Sequence, residues 1–316
     1  MMMMLATFDT TAPLLARLFI SADLEGVAGV THASQVFPKP SDSLAPYQQA
    51  IEQLATEVGW VIEGLQSVGL QSTTVNDSHA HMTNLFKAGF LQHVSAGVRL
   101  ISGKPKPFGM MAGLSANAFD AVALVGYHAK ANTPNAVLCH SFTEAVADIS
   151  LNGVSLGEAG FNLLLVEIGY GVPIVLASGD SALNAELKAL KPTLSVVQTK
   201  ESISWACANC FSVQQVQQSY QAVALRVQQQ WQATGGIGLL MPTPAWLPSN
   251  QPWEVVFTVQ TPLLADVLAL LPASTRISGT AVQWQIPRQS TVAEQVRWAY
   301  QSVQCAYSLL GYANGL

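Results

Sequence analysis

Two carboxylates, Asp23 and Glu25, follow directly on the apolar run Leu14–Ala22. On an extended segment that spacing turns both side chains to one face, with Leu24 on the other. Two acids at a dry strand end repel each other, and a divalent cation between them removes that cost. Alone, the pair reads better as a solvated turn that caps a helix. The placement of the histidines changes the balance. All six (His32, His79, His81, His93, His128, His140) fall at or before residue 140, and several stand where an apolar run ends. His79 and His81 close the segment Val75-Asn76-Asp77-Ser78-His79-Ala80-His81, and either can offer a neutral imidazole to a metal. Asp77 is a candidate to orient such a ligand. His128 follows Ala121–Tyr127 in the same manner. Glu158 opens a helix, where it equally suits the positive end of the helix dipole. His140, in Cys139-His140-Ser141, reads either as a buried, hydrogen-bonded histidine or as a proton shuttle.

Carboxylates and imidazoles in this mixture suit zinc, with manganese or cobalt as substitutes. Five ligands exceed what one catalytic zinc with an open position takes. They suit two metals that share a carboxylate and a hydroxide.

The elements that must carry these residues alternate. Strands are expected over Leu14–Ala22, Leu70–Asn76, Val98–Ser102, Ala121–Tyr127, Ala136–Phe142 and Pro173–Ala177. Helices are expected over Ala45–Val68, with Ile51, Leu54, Val58, Val61, Ile62 and Leu65 on one face, and over Gly157–Gly169 and Ser181–Leu190. Asn152-Gly153 is a hairpin signal between Ala145–Leu151 and Val154–Leu156. This order implies an α/β sandwich core with a largely parallel sheet over 14–200. In such sheets ligands collect at the carboxyl ends of the strands. A Gln-rich helix over Val213–Trp231, a Gly/Pro-rich connector over 235–252, and then strand, helix, strand and long helix make 201–316 a smaller C-terminal α+β lobe. Residues 1–13 read as a flexible N-terminal extension.

Composition excludes several classes. Of 316 residues, 50% are hydrophobic and 10% charged, with a net charge of -5. No cationic run suits a phosphate backbone, so no nucleic-acid partner is expected. No apolar stretch reaches the roughly 18 residues of a membrane span. The first basic residue, Arg17, follows rather than precedes an apolar start, which is the wrong order for a secretory signal, so the cytoplasm is the expected compartment. The four cysteines are too few for a disulfide framework. Cys207 and Cys210 form a C-x-x-C without a second pair, and read as two thiols on a helix. Gly179-Asp180-Ser181 is a weak candidate for a serine nucleophile, because no histidine follows residue 140. Gly26-Val27-Ala28-Gly29 lacks the full dinucleotide fingerprint.

The chain resembles the zinc D-aminopeptidase family found with bacterial dipeptide-transport operons. The resemblance is carried by Ser21-Ala22-Asp23-Leu24-Glu25-Gly26, Val75-Asn76-Asp77-Ser78-His79, Leu100-Ile101-Ser102-Gly103 and Lys106-Pro107-Phe108. It continues in Gly126-Tyr127-His128-Ala129, Thr133-Pro134, His140-Ser141, Gly157-Glu158, Val172-Pro173 and Ser178-Gly179-Asp180. It fades over 201–250 and covers about two-thirds of the chain. The resemblance implies two zinc ions per subunit, held by Asp23, Glu25, His79, His128 and Glu158, with Asp23 bridging and His140 as the catalytic histidine. It implies removal of an N-terminal D-residue from short peptides such as D-alanyl-D-alanine, and a ring-shaped homo-oligomer, a decamer. The competing readings are a metal-dependent amidase or peptidase of other stereochemistry and a non-catalytic metal-containing binding protein. The apolar C-terminal segment around Val296, Trp298, Val303, Leu309 and Leu310 suits either a subunit contact or an internal core helix.

Overall fold

Uninterrupted apolar runs form the centre of a sheet when both faces are covered. Ala121–Tyr127, expected as a strand, is one (β4), and all seven of its residues are buried. The structure is a computed structural model that describes residues 14–66 and 69–313; the extension expected over 1–13 lies outside the described residues. β1 (Arg17–Ala22), β2 (Ser72–Asp77), β3 (Val98–Ile101), β4, β7 (Ile174–Asp180) and β8 (Ser195–Ser204) are parallel, and β9 (Cys207–Cys210) pairs antiparallel with β8. Their spatial order is β3-β2-β1-β4-β7-β8-β9. The chain steps outward from β1 to β3 and then returns to the other side of β1. The strand order therefore reverses around β1, and a crevice opens at the carboxyl ends of β1, β2 and β4.

Both faces of this sheet are packed. Leu18, Ile20, Ala121, Ala123 and Val125 point to one core, with α1 (Ala45–Gln66) and α5 (Val213–Thr234) over it. In α1 the residues Ile51, Leu54, Val58, Val61, Ile62 and Leu65 are all buried, as their helical spacing requires. Removing one of them, as in Leu54→Ala, is expected to cost about 2–5 kcal/mol. The expected end of α1 at Val68 lies outside the described residues. A capping box of Ser212 and Gln215 starts α5, and Gly235, at φ +68°, ends it.

Phe19, Val122 and Leu124 face the opposite core, which contains α3 (Glu158–Leu164) and α7 (Val292–Ala313). Beyond it lies a second, antiparallel sheet. It joins the hairpin β5 (Val146–Leu151) and β6 (Val154–Ser155) to β10 (Trp253–Val259), β11 (Ser274–Arg276) and β12 (Ala281–Ile286). Asn152 and Gly153 both take positive φ at the hairpin turn. Two short helices, α2 (Asn84–Lys87) and α6 (Pro262–Leu268), and α4 (Ser181–Leu190) complete the fold. The second sheet draws on both sides of residue 200, and β8 itself runs across it. Val296, Val303 and Leu310 of α7 are internal, whereas Trp298 is exposed. Among the described residues, no helix is long and apolar enough to cross a membrane.

Three expectations need correction. Ala136–Phe142 is a loop, because Leu138 and Phe142 take left-handed conformations that interrupt extension. The amides of Val137 and Leu138 are instead held by Asp180 and by the carbonyl of Trp205. Cys207 and Cys210 stand on strand β9, not on a helix. The helix expected over Gly157–Gly169 keeps α-helical bonding only through Leu164, then widens into a π turn over Leu165–Gly169.

Candidate metal centre

Each strand that borders the crevice delivers a polar residue on leaving the sheet. After β1 the chain turns sharply, and Asp23 and Glu25 both swing toward His79, which follows β2. His79 Nδ1 is 3.3 Å from Asp23 Oδ1 and 3.2 Å from Glu25 Oε2. From β4, His128 places Nε2 3.7 Å from Asp23 Oδ2 and in contact with Glu158 Oε1, at the first turn of α3. Ligand atoms of Asp23, Glu25 and His79 lie within 4.8 Å of one another, and so do those of Asp23, His128 and Glu158. The two groups share Asp23. A third group joins His140 to Glu25 and His128. All six residues singled out in the sequence therefore meet in one place. His81, the alternative to His79, is exposed and outside the cluster.

The ring tautomers are set from outside the cluster. His79 Nε2–H donates to the carbonyl of Val36 at 3.0 Å, which turns Nδ1 toward the acids. Nδ1–H of His128 donates to Ala129 O at 2.9 Å, leaving Nε2 for Asp23 and Glu158. His140 Nδ1–H donates to Leu138 O at 2.9 Å, and its ring stacks on that of His128 with centroids 4.1 Å apart. Its free nitrogen is Nε2. Phe37 packs on the other side of His79, with ring centroids 4.7 Å apart. Asp77 does not touch the His79 ring; it accepts from Asn84 Nδ2 and from the Leu85 amide, and Asn84 in turn donates to the His79 carbonyl.

The electrostatics follow from burying three acids together. None of Asp23, Glu25, His79, His128 and Glu158 exposes more than 4% of its surface. Burial and the neighbouring Glu25 raise the Asp23 carboxyl to about 7. Burial would raise Glu25 also, but His79 holds it well below the usual carboxylate range. For His79, burial disfavours the charge, yet Glu25 and Asp23 overcome this and lift it well above its ordinary value; Glu158 does the same for His128. His128 in turn draws Glu158 down against the effect of burial. Burial and the charge of His128 lower His140, which favours its neutral form. The acids thus draw positive charge onto His79 and His128, a role that divalent cations fill better. Oε1 of Glu25 is buried without a partner, and Glu25 Oε2 and His128 Nε2 meet only the ionisable groups of the cluster itself, His79 and Asp23 with Glu158. Atoms of this kind are costly unless something binds them. This donor set fits zinc.

Residues that local sequence did not single out hold the ligand loop in place. Lys200 is fully buried on β8, and its ammonium donates to the carbonyls of Glu25 (2.7 Å) and Val27 (2.8 Å). Its neighbour Thr199 donates to Gly26 O at 2.5 Å. Glu57 of α1 accepts from the Ala28 amide at 2.9 Å and from Tyr220 of α5 at 2.8 Å. Four successive residues after Leu24 are thereby clamped by a neighbouring strand and helix. Neither stood out locally: Lys200 lies in the polar stretch Gln198-Thr199-Lys200-Glu201-Ser202, and Glu57 follows Thr56 within a helix. Ser181 is no nucleophile: its hydroxyl pairs with Ser202 Oγ at 2.7 Å and accepts the Ser202 amide.

The chain is similar to known D-aminopeptidases. Residues 16–298 match the family described as D-aminopeptidase. A D-aminopeptidase of Bacillus subtilis (strain 168) is 30% identical over 196 residues, which span 62% of this chain and 68% of that protein. A solved structure described as "Zn-dependent D-aminopeptidase DppA from Bacillus subtilis, a self-compartmentalizing protease" superposes with a TM-score of 0.75 at 25% identity, covering 92% of this chain and 98% of that one.

Proposed function

The chain belongs to the D-aminopeptidase family, and on that premise we propose that it removes N-terminal D-amino acids from short peptides such as D-alanyl-D-alanine, with two zinc ions per subunit. Asp23, Glu25 and His79 would hold one ion and Asp23, His128 and Glu158 the other. The observation that carries this reading is the pair of three-residue groups that share Asp23, with Glu25 Oε1 buried and unpartnered beside it.

Bound there, zinc would supply Lewis acidity toward the peptide carbonyl and bring a water close to ionisation at neutral pH. The chain's own residues do the rest. His140 is fixed through Nδ1, carries Nε2 beside Glu25 and His128, and has its charged form disfavoured by burial and by His128. It would take up at Nε2 the proton released by the attacking water, and in that protonated form donate to the oxyanion and pass the proton to the departing amine. The enclosed ligands exclude bulk water. Asp23 and Glu158, each in contact with His128, keep that ring from turning. A homo-oligomer is part of the proposal, supported by the description of the matched Bacillus structure as self-compartmentalizing.

Elemental analysis of the purified protein and a chelator-controlled assay on D-alanyl-D-alanine and L-alanyl-L-alanine test this. Two zincs per chain and a D-selective, chelator-sensitive activity are expected. Cleavage of the L-peptide alone would leave the metal pair but overturn the stereochemistry; metal without hydrolysis of either peptide would favour a binding protein.

A further inference from the structure

His140 is the member of the cluster that also borders open space. A cavity of about 500 Å³ lies against it, walled by Leu138, Val146, Trp205, Gln260 and Glu144 together with His140. The ligands themselves are buried, and among the cluster residues it is His140 that lines this cavity. Cavities of roughly 300–1,000 Å³ take drug-sized ligands, so there is room beyond a dipeptide.

The cavity has an electrical sign. Glu144 is exposed at its wall and forms no ion pair among the described residues. Its position follows from the local fold. Ser141 and Thr143 make a one-bridge turn, Ala145 and Val146 are buried as β5 enters the second sheet, and Glu144 between them faces out. Trp205, on the turn between β8 and β9, forms another wall, and its carbonyl fixes the Leu138 amide. A free peptide carboxylate placed here meets another carboxylate, while an amide or a cationic group does not.

We propose that this cavity receives the part of the substrate beyond the scissile bond, and that Glu144 makes it select peptides whose far end is neutral or cationic over those that end in a free carboxylate. The proposal rests on the peptidase function above and names its substrate class: D-aminoacyl amides and short peptides with basic or amidated ends. A carboxylate pair several ångströms apart in an open, wet cavity is worth about a threefold effect on binding, and less at high salt.

The test compares D-alanyl-D-alaninamide with D-alanyl-D-alanine in wild type, Glu144→Gln and Glu144→Lys at low ionic strength. Comparing the amide-to-acid ratio of kcat/KM between proteins cancels the chemical difference between the substrates. That ratio is expected to fall about threefold in Glu144→Gln and about tenfold in Glu144→Lys, mainly through KM, and the changes are expected to shrink in high salt. The same two ligands titrated into metal-free protein by tryptophan fluorescence, with Trp205→Phe as the control, give a readout independent of turnover. An equal ratio in all three proteins by both measurements overturns the proposal and leaves the peptidase reading intact. A ratio that follows the charge at residue 144 in the fluorescence titration, without hydrolysis by wild type, keeps the subsite and overturns the peptidase reading. Neither binding nor cleavage of either ligand overturns both.

Discussion

Replacing Lys200 by methionine separates what a buried charge does to folding from what it does to a ligand loop. The wild-type ammonium is wholly enclosed and donates to two carbonyls of the segment that carries Glu25. Burial brings its pKa from 10.5 down to about 8. At about 1.4 kcal/mol per pH unit, this corresponds to roughly 3 kcal/mol against the charged form at neutral pH. Methionine has similar length and removes that opposition, but leaves two buried carbonyls unsatisfied at about 1–3 kcal/mol each. The opposing terms are of similar size, so stability at pH 7 should change little. The pH dependence should change much more. Between pH 8 and 10.5 the unfolded lysine keeps its proton while the folded one has lost it. The unfolded chain then binds more protons, and wild-type stability gains from this group as pH rises. Lys200→Met lacks that gain. Urea unfolding of both metal-free proteins at pH 7.5 and 10.5 should show the stability difference moving by about 3 kcal/mol in favour of wild type. Comparison with the variant cancels the tyrosines that also titrate in this range. The variant should also hold less zinc, because the Glu25 loop has lost two of its anchors. A difference independent of pH, together with full zinc content, would refute both the burial argument and the clamping argument.

The remaining substitutions address the cluster itself. His140→Ala is expected to bind zinc normally while turnover falls by about 10²–10³, the usual cost of losing a transition-state donor; near wild-type turnover on D-alanyl-D-alanine would remove the role given to its Nε2. Asp23→Ala takes away the one carboxylate common to both ligand groups, so it should lose zinc from both, and full occupancy by elemental analysis would count against a bridging role. Gly26→Ala would set a methyl carbon 1.8 Å from the Tyr127 carbonyl oxygen. The loop after β1 and the end of β4 would have to part, with a stability loss of about 3 kcal/mol or more by chemical denaturation; wild-type stability would mean that the two are not pressed together as described.

Much of the fold was legible because local rules and the global fold agree. Ala121–Tyr127 and Ser181–Leu190 have the boundaries expected of them, and the helical spacing of Ile51 to Leu65 places each of those residues in the core. The same order of strands located Asp23, Glu25, His79 and His128 at strand ends. Where periodicity is weak the reading failed. Ala136–Phe142 has strand-like composition, but its backbone is set by Asp180 and Trp205, which are distant in sequence. The strand β8 was missed because half of it is polar and its partner β9 pairs at an edge.

Residue types and their order along the chain determined the alternating α/β plan, the candidate ligands and the resemblance to a family, since these depend on side-chain chemistry and on periods of two and 3.6 residues. Local sequence left His79 and His81 open and the resemblance chose His79 with Asp23 bridging; the tertiary structure supplied the distances between those groups, and it alone decided that Lys200 holds the Glu25 loop and that His140 opens onto a cavity bordered by Glu144. Those outcomes are distances between residues tens to nearly two hundred positions apart, and a pattern read along one chain contains no term for such distances until the sheet has closed them.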